Sequence, residues 1–297
     1  MPTMGNDPFS SAFAPDTEAM TGFLREFTSS FRPEVLGDRT YPRVTIVTPS
    51  LNQAAFLERT ILSVLNQGYP NLEYLVIDGG STDGSREIIK KYEKHLSYWV
   101  SEPDEGQSQA INKGLRRATG EWVAFQNSDD VFLPGAFKAF AEAFEKNPDA
   151  EALYGDILLI DSEDQVEEVW LTAPTRFWLQ VAFPGQVHNQ ALFWRRSLLD
   201  RIGFLREDLH FCFDYEYFLR ILAFTSKVRH IDRYLGAFRR HAAAKTSTIP
   251  QVAREETAKV IKEYGGPAHV LQRLAARIIK AHWYLLNGKG WYVFRKK

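Results

Sequence analysis

Glu121-Trp122-Val123-Ala124-Phe125-Gln126-Asn127-Ser128-Asp129-Asp130 is the stretch whose reading decides the fold. An apolar run short enough to be a buried strand ends in paired carboxylates, and the breaker Pro134-Gly135 follows. Open α/β sheets gather ligands at the carboxyl ends of their strands. Adjacent carboxylates repel, and a divalent cation between them and an anionic ligand relieves that repulsion. The plainer reading is an acidic turn capping a helix that starts at Ala136.

Working outward, strands and helices alternate. Val44-Thr45-Ile46-Val47 reads as a strand ended by Pro49, and residues 54–67 carry Leu57, Ile61, Val64 and Leu65 on one helical face. Gly68-Tyr69-Pro70-Asn71 turns into a second strand, Tyr74-Leu75-Val76-Ile77, and the loop 78–84 leads to a helix over 85–95. A strand at Tyr98-Trp99-Val100 and a helix over 107–118 complete the approach to Trp122. This order predicts a mostly parallel central sheet with helices on both faces. Leu153-Tyr154, residues 157–160 and residues 166–170 predict a smaller, more antiparallel region, followed by a helix over 213–223 and a helical tail from Gln251. Residues 1–42, rich in Ser, Pro, Thr and Gly, read as a lead or as an arm on the main body, with one helix over 16–27.

Bulk properties narrow the function. Basic residues number 36 and acidic ones 37, so no electrostatic footprint for nucleic acid exists. The single Cys212 excludes an internal disulfide and a cysteine metal cluster. No apolar run approaches the ~20 residues of a membrane span. Asp7, Asp16 and Glu18 stand where a secretory signal would be basic and then apolar. The expected location is cytoplasmic.

Several constellations carry chemistry. Asp78 opens a loop with Gly79, Gly80 and Gly84, which permit close backbone approach to a ligand; the same loop also serves as a turn capped by Asp83 or Ser85. It is neither G-x-G-x-x-G nor a Walker loop. Asp104-Glu105-Gly106-Gln107 begins a helix whose free N–H groups suit a phosphate. Asp214, among Phe213, Tyr215 and Tyr217, is either a helix-terminus charge or a desolvated general base. Arg239-Arg240-His241 and Lys245 suit a diphosphate or a metal. Trp170, Trp178 and Trp194 either stack on a sugar or fill a core. From His269 onward Arg273, Arg277, Lys280, Lys289, Arg295, Lys296 and Lys297 meet no acid. That tail either rests on an anionic membrane surface or packs on the domain with its basic face solvated.

Taken in order, these pieces resemble family 2 glycosyltransferases, nucleotide-sugar-dependent enzymes of the GT-A fold. The likeness rests on residues 44–50, 77–85, Ser101-Glu102 to Gly106, 110–114, 118–121 and 127–130, and it spans about 43–247. It implies a 1–42 extension, a nucleotide-binding half over 43–131, an acceptor-binding half over 132–247 and a helical tail over 248–297. The donor would meet Pro49, Asn52, Asp78 (at the base), Gly106, Gln107, Lys113, Asn127 and Ser128. Asp129, Asp130 and His241 would hold Mg²⁺ or Mn²⁺, and Asp214 would be the base. Asp156, Gln190 and Tyr215 would face the acceptor, a saccharide or lipid-linked saccharide of cell-surface polysaccharide assembly, with peripheral membrane contact through the tail. Asn127 departs from the family's D-x-D, and Gly79 replaces a common second Asp. The rival readings are a nucleotidyltransferase, for which Ser50-Leu51-Asn52-Gln53 lacks the glycine-rich basic loop, and a non-catalytic nucleotide-sugar-binding protein. The likeness requires Asp78, Asp129 and Asp214 to open onto one cleft.

Overall fold

The computed structural model describes residues 7–12, 14–33, 36, 41–182, 184–185, 187–265 and 270–294. Helix α1 (Thr17–Phe27) is capped by Asp16, whose carboxylate accepts from the Ala19 amide at 3.0 Å. Then come β1 (Val44–Ser50), α2 (Ala54–Leu65), β2 (Leu72–Asp78), α3 (Ser85–Tyr92), β3 (Tyr98–Ser101), α4 (Gln107–Arg117) and β4 (Trp122–Phe125). β1 lies between β2 and β4, β3 flanks β2, and all three pairings are parallel. Every residue of β1 and β4 is buried, which is why neither strand alternates apolar and charged residues with a period of two.

Pro49 was expected to end β1, yet the strand runs through it to Ser50. The Val47 carbonyl accepts from Gln126 on the β4 side, and the Ser50 carbonyl accepts from Gly79 on the β2 side. Pro49 therefore turns its missing N–H toward β4, which has already stopped at Phe125.

The second half contains β5 (Val131–Phe132), α5 (Ala136–Lys146), β6 (Ala152–Ile160), β7 (Val166–Trp170), α6 (Phe177–Ala182), β8 (Leu192–Arg195), α7 (Ser197–Ile202), α8 (Phe213–Phe224) and β9 (Val228–Arg239). β8 joins β4 to β6 by antiparallel pairings on both sides. β9 runs parallel to β6, β5 closes the edge, and β7 hangs on β6. The sheet is parallel from β3 to β4 and mixed beyond, with helices on both sides.

The remaining helices are α9 (Lys245–Thr248), α10 (Pro250–Glu263), α11 (Val270–Leu286) and α12 (Gly290–Phe294). α10 puts Val260 into the larger core, and its Glu256 accepts from the amides of His210, Phe211 and Cys212, clasping the entry to α8. Phe9, Met20 and Leu24 from the N-terminal side join Leu158, Val169, Tyr234 and Tyr284 in a second core. The side chains of His269, Arg273, Arg295, Lys296 and Lys297, read above as part of a basic surface, lie outside the described residues.

Candidate functional site

The loop leaving β4 is pinned from three directions. Thr60 of α2 places its hydroxyl 2.9 and 2.7 Å from the Ser128 and Asp130 carbonyls. Arg239 of β9 donates from Nε to the Asp129 carbonyl at 2.7 Å, and its backbone N–H reaches Asp130 at 2.8 Å. Gln190 and Asn127 donate their amides to the other Asp130 oxygen at 2.7 and 3.0 Å. Gln190 can stand there because Gly236 has no side chain: a Cβ on it would lie 2.0 Å from the Gln190 carbonyl. Asp130 was expected to be a metal ligand, but it is buried with both oxygens engaged by protein donors. Burial raises its pKa, the charge of Asp129 adds to the rise, and the three donors oppose it. It braces the loop.

Asp129 points the other way. Its carboxylate meets His241 Nε2 at 3.0 Å, and Phe56 covers the imidazole at a centroid separation of 4.5 Å. Asn127 is committed on both sides, accepting from Gln107 at 2.7 Å and donating to Asp130. Among the described residues no group of three or more His, Cys, Asp or Glu side chains converges as a metal site. Asp129 and His241 remain as a two-donor set.

The β2 loop is also more self-contained than its sequence implied. Asp78 is fully buried and accepts from the Gly80 and Ser81 amides at 3.1 and 2.9 Å and from the Ser101 hydroxyl at 2.6 Å. The reading of Asp78 as a base contact is therefore corrected: its carboxylate shapes the loop. Asn52 is exposed and accepts from the Thr82 amide at 2.9 Å, while Pro49 is buried in β1. Asp104 lies against Gly79, where a Cβ would come within 2.5 Å of its carboxylate. Its placement was not foreseen. Lys113 was assigned to the donor but pairs with Glu102 at 3.0 Å.

The cleft itself, about 260 Å³, is lined by Gln107, Asn127, Asp129, Gln190 and Asp214 among the expected residues. Asp129 and Asp214 thus share one opening, while Asp78 does not line it. Phe211 and Phe213 flank Asp214, and burial pushes its pKa up to about 6 against the Tyr215 amide and the Lys245 charge. Lys245, read above with Arg239, Arg240 and His241 as suited to a diphosphate or a metal, reaches into the same cleft and donates to the His210 carbonyl at 3.1 Å. Its pKa is lowered by burial, and Asp214, Asp129 and Asp104 pull it back. Opposite, Trp170 lies nearly parallel to Phe238 (14°) and 5.5 Å from His188, whose pKa burial lowers to about 4. Trp194 is core, and Trp178 is exposed on α6.

Three further expectations are corrected. Asp156 is fully buried on β6, bonded to Thr172 at 2.9 Å and His230 at 3.0 Å, so an acceptor cannot reach it. Tyr215 buries its hydroxyl against the Gln180 carbonyl at 3.1 Å. Arg239 is fully buried and ion-paired with Asp164 at 2.5 Å, and Arg240 pairs outside with Glu167 at 3.1 Å, so neither meets a diphosphate in the cleft.

A model of the family described as Glycosyl transferase family 2 matches residues 45–198. A Bacillus subtilis (strain 168) glycosyltransferase, TuaG, whose name assigns it provisionally to teichuronic acid biosynthesis, is 44% identical over 30% of this chain and 36% of its own length. An uncharacterized glycosyltransferase of Mycobacterium tuberculosis (strain H37Rv) is 33% identical over 60% of this chain and 68% of its own. A PGL/p-HBAD biosynthesis glycosyltransferase of Mycobacterium bovis is 31% identical over 54% of this chain and 62% of its own. The crystal structure of S. aureus TarS 1-349 in complex with UDP-GlcNAc shares the fold, with a TM-score of 0.63 and 17% identity over 81% of this chain and 71% of that one.

Proposed function

The chain belongs to glycosyl transferase family 2, and from that premise we propose that it transfers a sugar, with inversion, from a nucleoside-diphosphate sugar to an acceptor hydroxyl. The observation that carries this reading is the single cleft holding Asp129, Lys245 and a carboxyl of raised basicity, Asp214. Asp214 takes the proton of the acceptor hydroxyl while that oxygen bonds the anomeric carbon. The bond from that carbon to the diphosphate breaks, and its electron pair leaves with the diphosphate. Lys245 offsets the charge that develops there.

The donor set fits a divalent ion. Asp129 and His241 would hold Mg²⁺ or Mn²⁺, which would further neutralise the leaving diphosphate. Two protein donors suit an ion that draws its other ligands from phosphate and water. Trp170 and Phe238 offer a flat apolar wall for a sugar ring. The TarS complex makes uridine diphosphate sugars the first donors to try, and the relatives' names point to a cell-envelope polysaccharide or glycolipid acceptor. The lone Cys212 and such a donor suit the cytoplasm.

The test is release of nucleoside diphosphate from a panel of nucleotide sugars, with and without Mn²⁺. Release that Mn²⁺ stimulates and Asp214→Asn abolishes, with donor binding retained, supports the reading. Binding without release from any donor would make the protein a non-catalytic nucleotide-sugar binder.

A further inference from the structure

Ten large apolar side chains are exposed among the described residues, and five of them stand on α11. Leu274, Ile278 and Leu285, at offsets of four and eleven, form one row; Ile279 and Leu286 form the next. They are between 47% and 71% exposed. The opposite side is seated: Tyr284 is buried and donates its hydroxyl to the Leu171 carbonyl at 2.8 Å, and Lys280 is half-buried. A helix that seats Tyr284 and Lys280 against the domain and turns five large apolar side chains outward, with Arg277 exposed as well, presents that apolar side to a partner.

Charge selects among occupants. No Asp or Glu occurs from His269 to Lys297, and although Lys289 is buried against Asp232 and Lys280 is half-buried, Arg273, Arg277, Arg295, Lys296 and Lys297 fall in the same stretch, while the whole chain has a net charge of −1. A second copy would bring the same positive sign to the contact. An anionic surface is complementary. No helix among the described residues is long and apolar enough to cross a membrane, so the helix would lie along such a surface.

We propose that α11 docks this protein flat on an anionic phospholipid bilayer, inserting the row of Leu274, Ile278 and Leu285. The seated side of the docked helix adjoins one wall of the cleft. α11 packs on α6, whose Trp178 is also exposed, and the cleft residue His188 feels the charge of Lys280. The docked helix thus stands near the cleft wall that holds Trp170 and His188, and an acceptor carried on a lipid would reach the cleft from that side. That last link rests on the glycosyl-transfer reading; the docking does not.

Flotation of the full chain with vesicles of phosphatidylcholine, with and without phosphatidylglycerol, tests the proposal. Binding is expected only with phosphatidylglycerol and falls as salt rises. Ile278→Glu and Leu285→Glu each weaken it about tenfold or more, because each removes a buried side chain's worth of transfer. Both variants keep their fold, because the sites are exposed, and keep nucleotide-sugar turnover in solution. Unchanged flotation of the doubly substituted chain, or no flotation at all, would overturn the proposal. A concentration-dependent dimer that Ile278→Glu dissociates would assign the face to a second copy. Flotation without turnover on any donor would sink the glycosyl-transfer reading and leave the docking standing.

Discussion

Asp214 shows how one residue's surroundings set both activity and stability. Its carboxyl titrates near 6 in the folded protein because aromatic burial disfavours the charge, against an ordinary value of 3.8. As base it must be ionised, so kcat/KM should fall as pH drops below about 6, and Asp214→Asn should remove that limb along with 10²–10⁴ of turnover. The linkage runs in the opposite sense. A raised pKa favours the fold below the unfolded value of 3.8, and that contribution disappears as pH rises through 6. Asp214→Asn should therefore be more stable than the parent at pH 8, by up to about 3 kcal/mol, and about as stable as the parent at pH 4. A variant that melts lower at pH 8 would contradict the burial argument. Asp129 makes a separable contribution. Asp129→Ala leaves His241 without its partner, and calorimetry should show the Mn²⁺-dependent part of nucleotide binding lost while the metal-independent part persists. Equal affinity with and without Mn²⁺ in the parent would remove the ion from the site.

Elements bring these residues together, and one contact governs their spacing. β9 approaches the segment Asn189–Ala191 so closely at Gly236 that a methyl group there would overlap the Gln190 backbone. Gly236→Ala should push Gln190 off Asp130 and loosen the β4 loop, costing about 1–3 kcal/mol in urea denaturation together with donor affinity. Unchanged stability would mean the segment yields freely. The alternating strands and helices up to β4 were legible because a buried parallel strand needs an unbroken apolar run and a helix a spaced one. Leu192–Arg195 carried no such signal: β8 is four residues long, and its antiparallel place beside β4 and β6 comes from long-range pairing. The acids were legible as a group but not by orientation. Ser101 turns Asp78 into a loop brace from another strand, and Gln190 and Arg239 do the same to Asp130. Lys245 was legible only as one of a cluster of cations, because what separates it from Arg239 and Arg240 is its neighbours far along the chain, Asp129 and Asp214.

At the scale of the whole molecule, described segments from the N-terminal and C-terminal parts of the chain meet. Lys289, almost fully buried, donates to Asp232 at 2.8 Å, lies 3.8 Å from Asp156 and approaches Ser11 at 3.5 Å. His230 completes the group, 3.0 Å from Asp156 and 3.4 Å from Asp232, with Trp283 edge-on to its ring. Burial by itself would lower the pKa of His230, but Asp156 and Asp232 outweigh it and raise the value to about 9. The imidazolium thus supports the fold below its ordinary value of 6.5, and the contribution is lost as pH rises through 9. Stability should fall by about 1–3 kcal/mol across that window, a range set below the full shift because buried networks share their protons. His230→Gln, which keeps a hydrogen-bonding side chain but no titration, should flatten the slope between pH 6.5 and 9 while lowering stability at pH 6.5. Because Lys289 ties α12 to the same acids, hydrogen exchange in α11 and α12 should quicken in the parent above pH 9, and at every pH in the variant. Parallel stability curves for the two proteins across the window would show that His230 is not the group holding those segments together.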